Sequence, residues 1–184
     1  MYESNTPLGQ RHAKGQVQAA PEELEVAMHE AACEALASAG FEHYEISNWA
    51  RAGKRCRHNE LYWRNGDWLA VGPSASGHAS GLRWRNVPRL GDWLASGPWS
   101  PVQDVERLDV DGQIGEAFMM GLRLLEGIPQ DRVSELLSGG RRAVARRLAI
   151  ARHVEAGLLE ASGTSLRFTE RGRMLASHVT MDLL

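Results

Sequence analysis

The chain has 184 residues, 43% of them hydrophobic, which suffices for one ordinary domain or two small ones with a buried core. A formal charge of −2 excludes a global field that would draw in nucleic acid or an anionic membrane. No apolar run approaches the roughly 20 residues of a membrane-spanning helix, so no integral membrane segment is expected. Met1 to Leu8 lack the charged start and apolar stretch of an export signal. The two cysteines, Cys33 and Cys56, form no C-x-x-C pair; they argue against a disulfide framework and fit a reducing, cytoplasmic location.

Residues 1–20 are polar and show no apolar period, and Tyr2-Glu3-Ser4-Asn5-Thr6-Pro7 reads as a strand end running into a loop. Order is expected from Pro21. Proline suits a first helical position, Glu22 and Glu23 complement the helix dipole, and Leu24, Met28, Ala31, Ala32, Ala35, Leu36 and Ala39 recur at helical spacing until Gly40. Phe41, Tyr44, Ile46 and Trp49 then make a compact aromatic segment suited to a strand.

All six tryptophans lie between Trp49 and Trp99, among glycines, prolines and arginines, where loops and short strands are expected. Ser80-Gly81 can turn a hairpin between His78 and Arg85, and a short helix fits Arg89 to Ser96.

Further on, Val110, Ile114, Phe118, Leu122 and Leu125 fall on one helical stripe closed by Gly127. Pro129 can start a second helix with Val133, Leu136 and Leu137 inside, stopped by Gly139-Gly140. A third, Arg141 to Ala156, is expected to bury Val144, Leu148, Ala151 and Val154. Leu158-Leu159-Glu160 and Leu166-Arg167-Phe168 flank the hairpin signal Ser162-Gly163, and Thr169 can cap a closing helix carrying Met174, Leu175 and Val179. Three helices, a hairpin and a last helix form a winged-helix order.

The stretch richest in chemistry is His58-Asn59-Glu60-Leu61-Tyr62-Trp63, expected in an exposed loop. A neutral imidazole offers a lone pair to heme iron, and its other nitrogen can be oriented by a hydrogen bond. Tyr62 and Trp63 supply flat apolar surface for a porphyrin face. Arg51, Lys54, Arg55 and Arg57 lie within seven residues, and guanidinium groups pair with carboxylates such as heme propionates. The plainer readings are a structural histidine and a solvated basic loop. Cys56 is a rival iron ligand two residues from His58, and with one cysteine instead of C-x-x-C-H any heme is noncovalent. Gly72-Pro73-Ser74-Ala75-Ser76 lacks the second glycine of a nucleophile elbow and reads as a structural turn.

Tyr44-Glu45-Ile46-Ser47-Asn48-Trp49-Ala50, His58-Asn59-x-x-Tyr62-Trp63, Leu69-Ala70-Val71-Gly72-Pro73-Ser74-Ala75, Glu116 to Arg123 and Gly127-Ile128 together resemble the radical-SAM-family heme chaperones of the HemW type, relatives of oxygen-independent coproporphyrinogen III oxidase. The resemblance implies an α/β remnant of a partial radical-SAM (β/α) barrel over residues 1–105, carrying the heme-motif loops, followed over 106–184 by a mostly helical, winged-helix-like C-terminal domain. It also implies heme as ligand, with His58 on the iron, Asn59, Tyr62 and Trp63 in the motif, and Arg55 and Arg57 near the propionates. A heme-accepting protein and the N-terminal barrel are the implied partners. Relatives hold a [4Fe–4S] cluster and S-adenosylmethionine through a C-x-x-x-C-x-x-C motif absent here, so the sequence is expected to begin within a domain and the chain alone to perform no radical catalysis. Ser76 stands where many relatives have histidine.

Two other functions fit less well. A fragment of a coproporphyrinogen III oxidase is disfavoured by the His-Asn-x-x-Tyr-Trp motif. A winged-helix nucleic-acid module would use Arg141, Arg142, Arg146, Arg147 and Arg152 on one helix. Yet residues 112–184 hold ten arginines against eight acidic residues, a thin electrostatic footprint, and no nucleic-acid partner is expected.

Overall fold

A computed structural model describes residues 3–97 and 101–184. They divide into two compact units, Met1–Glu42 and His43–Leu184. Tyr2 of the expected strand end, and Trp99, lie outside the described residues.

The first unit holds two helices. α1 (Pro7–Ala13) occupies a stretch whose sequence reads as loop. Its seven residues are too few to show a period, but its start is well specified: Pro7 occupies the first turn and the Thr6 hydroxyl accepts the Gly9 amide at 3.0 Å. Ser4 and Asn5 form a turn instead of a strand end. α2 (Glu22–Ser38) follows the proline, acidic-turn and glycine signals, with Gly40 at φ 77°. None of its residues is buried, and Leu24 and Met28 are 50% and 62% exposed.

The second unit opens with β1 (Glu42–Glu45, its first residue in the preceding unit) and β2 (Asn48–Ala50), paired across the turn Ile46-Ser47. The fully buried Glu45 carboxylate braces that turn, accepting the Ser47 amide at 3.0 Å and the Asn48 side-chain amide. α3 (Arg57–Trp63) replaces the loop expected around His58. β3 (Ser76–Ala79) and β4 (Leu82–Asn86) form the hairpin expected at Ser80-Gly81, both turn residues having positive φ. Opposite Trp84, only a glycine fits: a Cβ on Gly77 would enter the indole. α4 (Leu90–Ala95) is the short helix expected there, and β5 (Val102–Arg107) adds to β4 to complete a three-stranded antiparallel sheet.

The rest is α5 (Val110–Gly121), β6 (Ile128–Pro129), α6 (Gln130–Ser138), α7 (Ala143–Glu155), β7 (Leu159–Ala161), β8 (Ser165–Phe168), α8 (Glu170–Met174) and α9 (Ala176–Leu183). Phe118, Leu122, Ile128, Leu159, Leu166, Val179 and Leu183 form its core, each at most 4% exposed. β6 pairs with β8, making a sheet of order β6-β8-β7. The closing helix is two: α8, capped by the Thr169 hydroxyl, breaks at Leu175 before α9.

The inward face of α7 differs from its apolar pattern. Val144 and Leu148 are 65% and 66% exposed and Ala151 and Val154 also face solvent, whereas Arg146, Ala149 and His153 are buried. Arg146 is fully buried because every donor group finds an acceptor. Its Nε donates to the Leu183 carbonyl (2.8 Å), Nη1 to Asp111 Oδ1 (2.9 Å), and Nη2 to the Asp111 and Leu184 carbonyls (2.7 and 3.0 Å). A buried guanidinium satisfied in this way overrides a hydrophobic-face argument. Arg146 is therefore a structural tie from α7 to α5 and the end of α9, not a residue that could reach phosphate.

Candidate functional site

α3 follows Cys56 and runs for less than two turns. His58 and Tyr62, four residues apart, share a face. The Tyr62 hydroxyl lies 2.5 Å from His58 Nε2, and the rings meet edge to face with centroids 4.5 Å apart. Tyr62 in turn packs edge to face on Trp68 at 4.5 Å, and Trp68 lies 4.9 Å from the ring of His78. Trp68 is the fixed point of this row. Its indole N–H donates to the Ser76 carbonyl at 2.9 Å, and its backbone exchanges hydrogen bonds with His78 at 2.7 and 3.0 Å. His78 is buried, with Nδ1–H donating to the Gly66 carbonyl at 2.9 Å. A helix face is thus aligned by side chains anchored on the edge of the β3–β4–β5 sheet.

The motif residues are not all on this face. Trp63 is half-buried on a different side of α3, with the Arg123 guanidinium 4.3 Å from its ring centroid. It walls a cavity of about 240 Å³ with Leu124, Ile128, Pro129 and Leu136, and its buried indole N–H has no partner among the described residues. Asn59 is half-buried; His58, Cys56 and Arg57 are exposed.

The cation cluster divides as well. Arg55 Nη1 donates to Glu126 Oε2 at 3.1 Å and Arg64 Nη2 to Glu126 Oε1 at 2.8 Å, with Glu60 Oε1 3.8 and 3.7 Å from them. Two guanidinium groups therefore face two carboxylates. Lys54 and Arg57, four residues before His58 and next to it in sequence, are exposed and make no ion pair among the described residues. Sequence reasoning missed Trp68, His78, Arg64 and Glu126. Trp68 lies five residues beyond the motif in the same tryptophan-rich stretch, a usable signal; Glu126 is 71 residues from Arg55, and no local pattern links them.

Groups away from α3 show the clearest protonation effects. Backbone amides of Arg142 and Arg141, then the Arg146 and Arg141 side chains, hold the Asp111 carboxyl far below the usual carboxylate range, outweighing desolvation. The hydrogen bond from His153, at 2.8 Å, and that from Arg152 lower Asp182 in the same sense. These groups join α7 to α5 and α9.

Chemically, α3 offers one exposed imidazole, a half-buried phenol and, in Arg57, a cation with no ion pair among the described residues. Among the described residues no group of three His, Cys, Asp or Glu side chains is placed to hold a metal ion. A lone imidazole suits an iron already held by four porphyrin nitrogens.

Comparison with known proteins defines the class first. Residues 108–175 match the HemN C-terminal domain, and over 94% of its length the chain superposes on coproporphyrinogen III oxidase (HemN) from Escherichia coli, a radical SAM enzyme. That superposition has a TM-score of 0.69, covers 44% of the enzyme and is 13% identical in sequence, a likeness of fold. The chain is homologous along its whole length to the heme chaperones HemW. It is 34% identical to HemW of Mycobacterium tuberculosis, over 100% of this chain and 45% of that protein. It is 31% identical to HemW of Bacillus subtilis, over 90% of this chain and 44% of that protein. The radical S-adenosyl methionine domain-containing protein 1 of Danio rerio mitochondria is 36% identical over 68% of this chain and 31% of its own length. The chain spans less than half the length of these relatives. No helix among the described residues is long and apolar enough to cross a membrane.

Proposed function

We propose that this chain is the heme-holding part of a cytoplasmic heme chaperone, binding heme noncovalently for delivery to an acceptor protein. The observation that carries the reading is the exposed His58 imidazole, set by Tyr62 and Trp68 in a segment whose Lys54 and Arg57 make no ion pair among the described residues, in a chain homologous throughout to proteins named heme chaperones. His58 would ligate the iron, Tyr62 would flank the macrocycle, and Arg57 would meet a propionate. Arg55 would serve the second propionate on release from Glu126, while Asn59 and Trp63 hold α3 in place. Heme supplies an iron with an open axial position; the chain's own contribution is the ligand, its orientation and the counter-charges.

In the same proposal, residues 1–105 correspond to the C-terminal end of a radical-SAM barrel with its heme-motif loops, and 106–184 to a winged-helix-like domain. The exposed Leu24 and Met28 of α2 support the first part, as apolar surface that further barrel structure would cover. The order α6, α7, β7–β8 hairpin and closing helices supports the second. S-adenosylmethionine and the [4Fe–4S] cluster would belong to the remainder of a full-length protein, since Cys33 and Cys56 are the only cysteines in this sequence.

The test is a parallel hemin titration of the wild-type chain, His58→Ala and Cys56→Ala, followed through the Soret band. Loss of the band shift in His58→Ala alone is expected. Loss in Cys56→Ala alone would assign the ligand to the thiolate, and unchanged spectra in both would remove the site from α3.

A further inference from the structure

We propose that Tyr62 is a latch on His58, competing with iron for the imidazole nitrogen and so holding heme affinity at a level that permits hand-over. This rests on the heme reading above and adds an affinity-setting residue to it.

The geometry supplies the competition. Nε2 is the imidazole nitrogen remote from Cβ and the one a flat macrocycle reaches without striking the helix backbone. In this chain Nε2 lies 2.5 Å from the Tyr62 hydroxyl. A ring nitrogen has a single in-plane lone pair, so it cannot accept the phenol proton and bond iron at once. Every heme-free molecule must therefore open this contact before its iron–nitrogen bond forms.

Tyr62 is also placed to return. Its ring packs edge to face on Trp68, whose indole donates to Ser76 and whose backbone is paired with His78, so the phenol is held against the sheet edge over His58. His58 itself is exposed, and among the described residues Tyr62 is the side chain hydrogen-bonded to its ring. Apparent affinity is the intrinsic affinity multiplied by the fraction of molecules in which Nε2 is open, and one water-exposed hydrogen bond keeps the closed form several-fold more populated than the open one. The latch thus weakens binding about threefold to tenfold.

The decisive variant is Tyr62→Phe, which retains the ring packing on Trp68 and removes only the hydroxyl. With the 184-residue chain and hemin as the probe, Tyr62→Phe is expected to bind about threefold to tenfold more tightly than wild type, with the same Soret maximum. Imidazole nitrogen NMR of the heme-free wild type is expected to show His58 protonated at Nδ1, leaving Nε2 to accept from Tyr62. That second measurement does not depend on how well the variant folds. Equal or weaker binding by Tyr62→Phe, an altered Soret maximum that makes the phenolate a ligand, or a His58 protonated at Nε2 would each overturn the latch. His58→Ala separates the two levels. If it keeps wild-type binding, the heme reading at His58 fails and the latch with it; if it loses binding while Tyr62→Phe shows no gain, the latch alone fails.

Discussion

Replacing Arg146 with alanine should unfold the C-terminal half more readily than any other single arginine change on α7. The guanidinium is fully buried and makes four hydrogen bonds, two to Asp111 and one each to the carbonyls of Leu183 and Leu184. Breaking a buried ion pair from one side costs about 3–5 kcal/mol, because the partner is left desolvated. Asp111 keeps the amides of Arg141 and Arg142, so the lower end, about 3 kcal/mol, applies. In a unit of this size that corresponds to a Tm lower by about 6–12 °C. Arg147→Ala is the control: this neighbour is exposed and makes one bond, to the Leu137 carbonyl at 2.6 Å, so its removal should cost no more than about 1 kcal/mol. Urea and thermal melts of the two variants read the difference. An Arg146→Ala protein within about 1 kcal/mol of wild type would refute the assignment of this arginine as a tie between α7, α5 and α9.

Acid should loosen the same junction. The Asp111 carboxyl is lowered in the folded state, so it contributes stability above the unfolded value of about 4 and loses it as pH falls from there toward the lower folded value. Melts between pH 7 and 2 should show this decline, and Asp111→Asn should be less stable at pH 7 with a flatter slope below pH 4. Gly77→Val should disrupt the β3–β4 hairpin, because its Cβ would enter the Trp84 indole; tryptophan fluorescence and amide exchange of β3 would report it, and a wild-type spectrum would contradict the packing. Glu126→Gln should leave Arg55 and Arg64 with only the more distant Glu60 carboxylate and strengthen hemin binding about twofold to fivefold at low salt, an advantage that fades as salt screens it. Weaker binding would place the Arg55–Glu126 pair among the structures the site requires.

The parts of the fold legible in the sequence are those specified locally. Proline starts, glycine stops and the turn pairs Ser80-Gly81 and Ser162-Gly163 mark α2, α6 and both hairpins, because such signals act over a few residues. The inner face of α7 is not legible locally, because the burial of Arg146 depends on Asp111 and Leu183, 35 and 37 residues away. α1 and α3 read as loops in the sequence because seven residues are too few for a helical period to emerge. β6 is two residues long, and only its pairing with β8 makes it a strand.

Of the candidate site, the pairing of His58 with Tyr62 follows from their i,i+4 spacing once the segment is helical. The same helix turns Trp63 to a different side, onto Arg123, which a list of motif residues does not convey. The commitment of Arg55 to Glu126 is equally hidden, since a cluster of cations in sequence says nothing about distant carboxylates.

The central claim, that heme iron is held by His58, is tested most directly by electron–nuclear double resonance of the ferric heme complex made with histidine labelled in ¹⁵N. The account predicts ¹⁵N hyperfine coupling from one axial imidazole in the wild-type chain and its loss in His58→Ala. Coupling that persists in His58→Ala, or a wild-type complex without it, would contradict the claim.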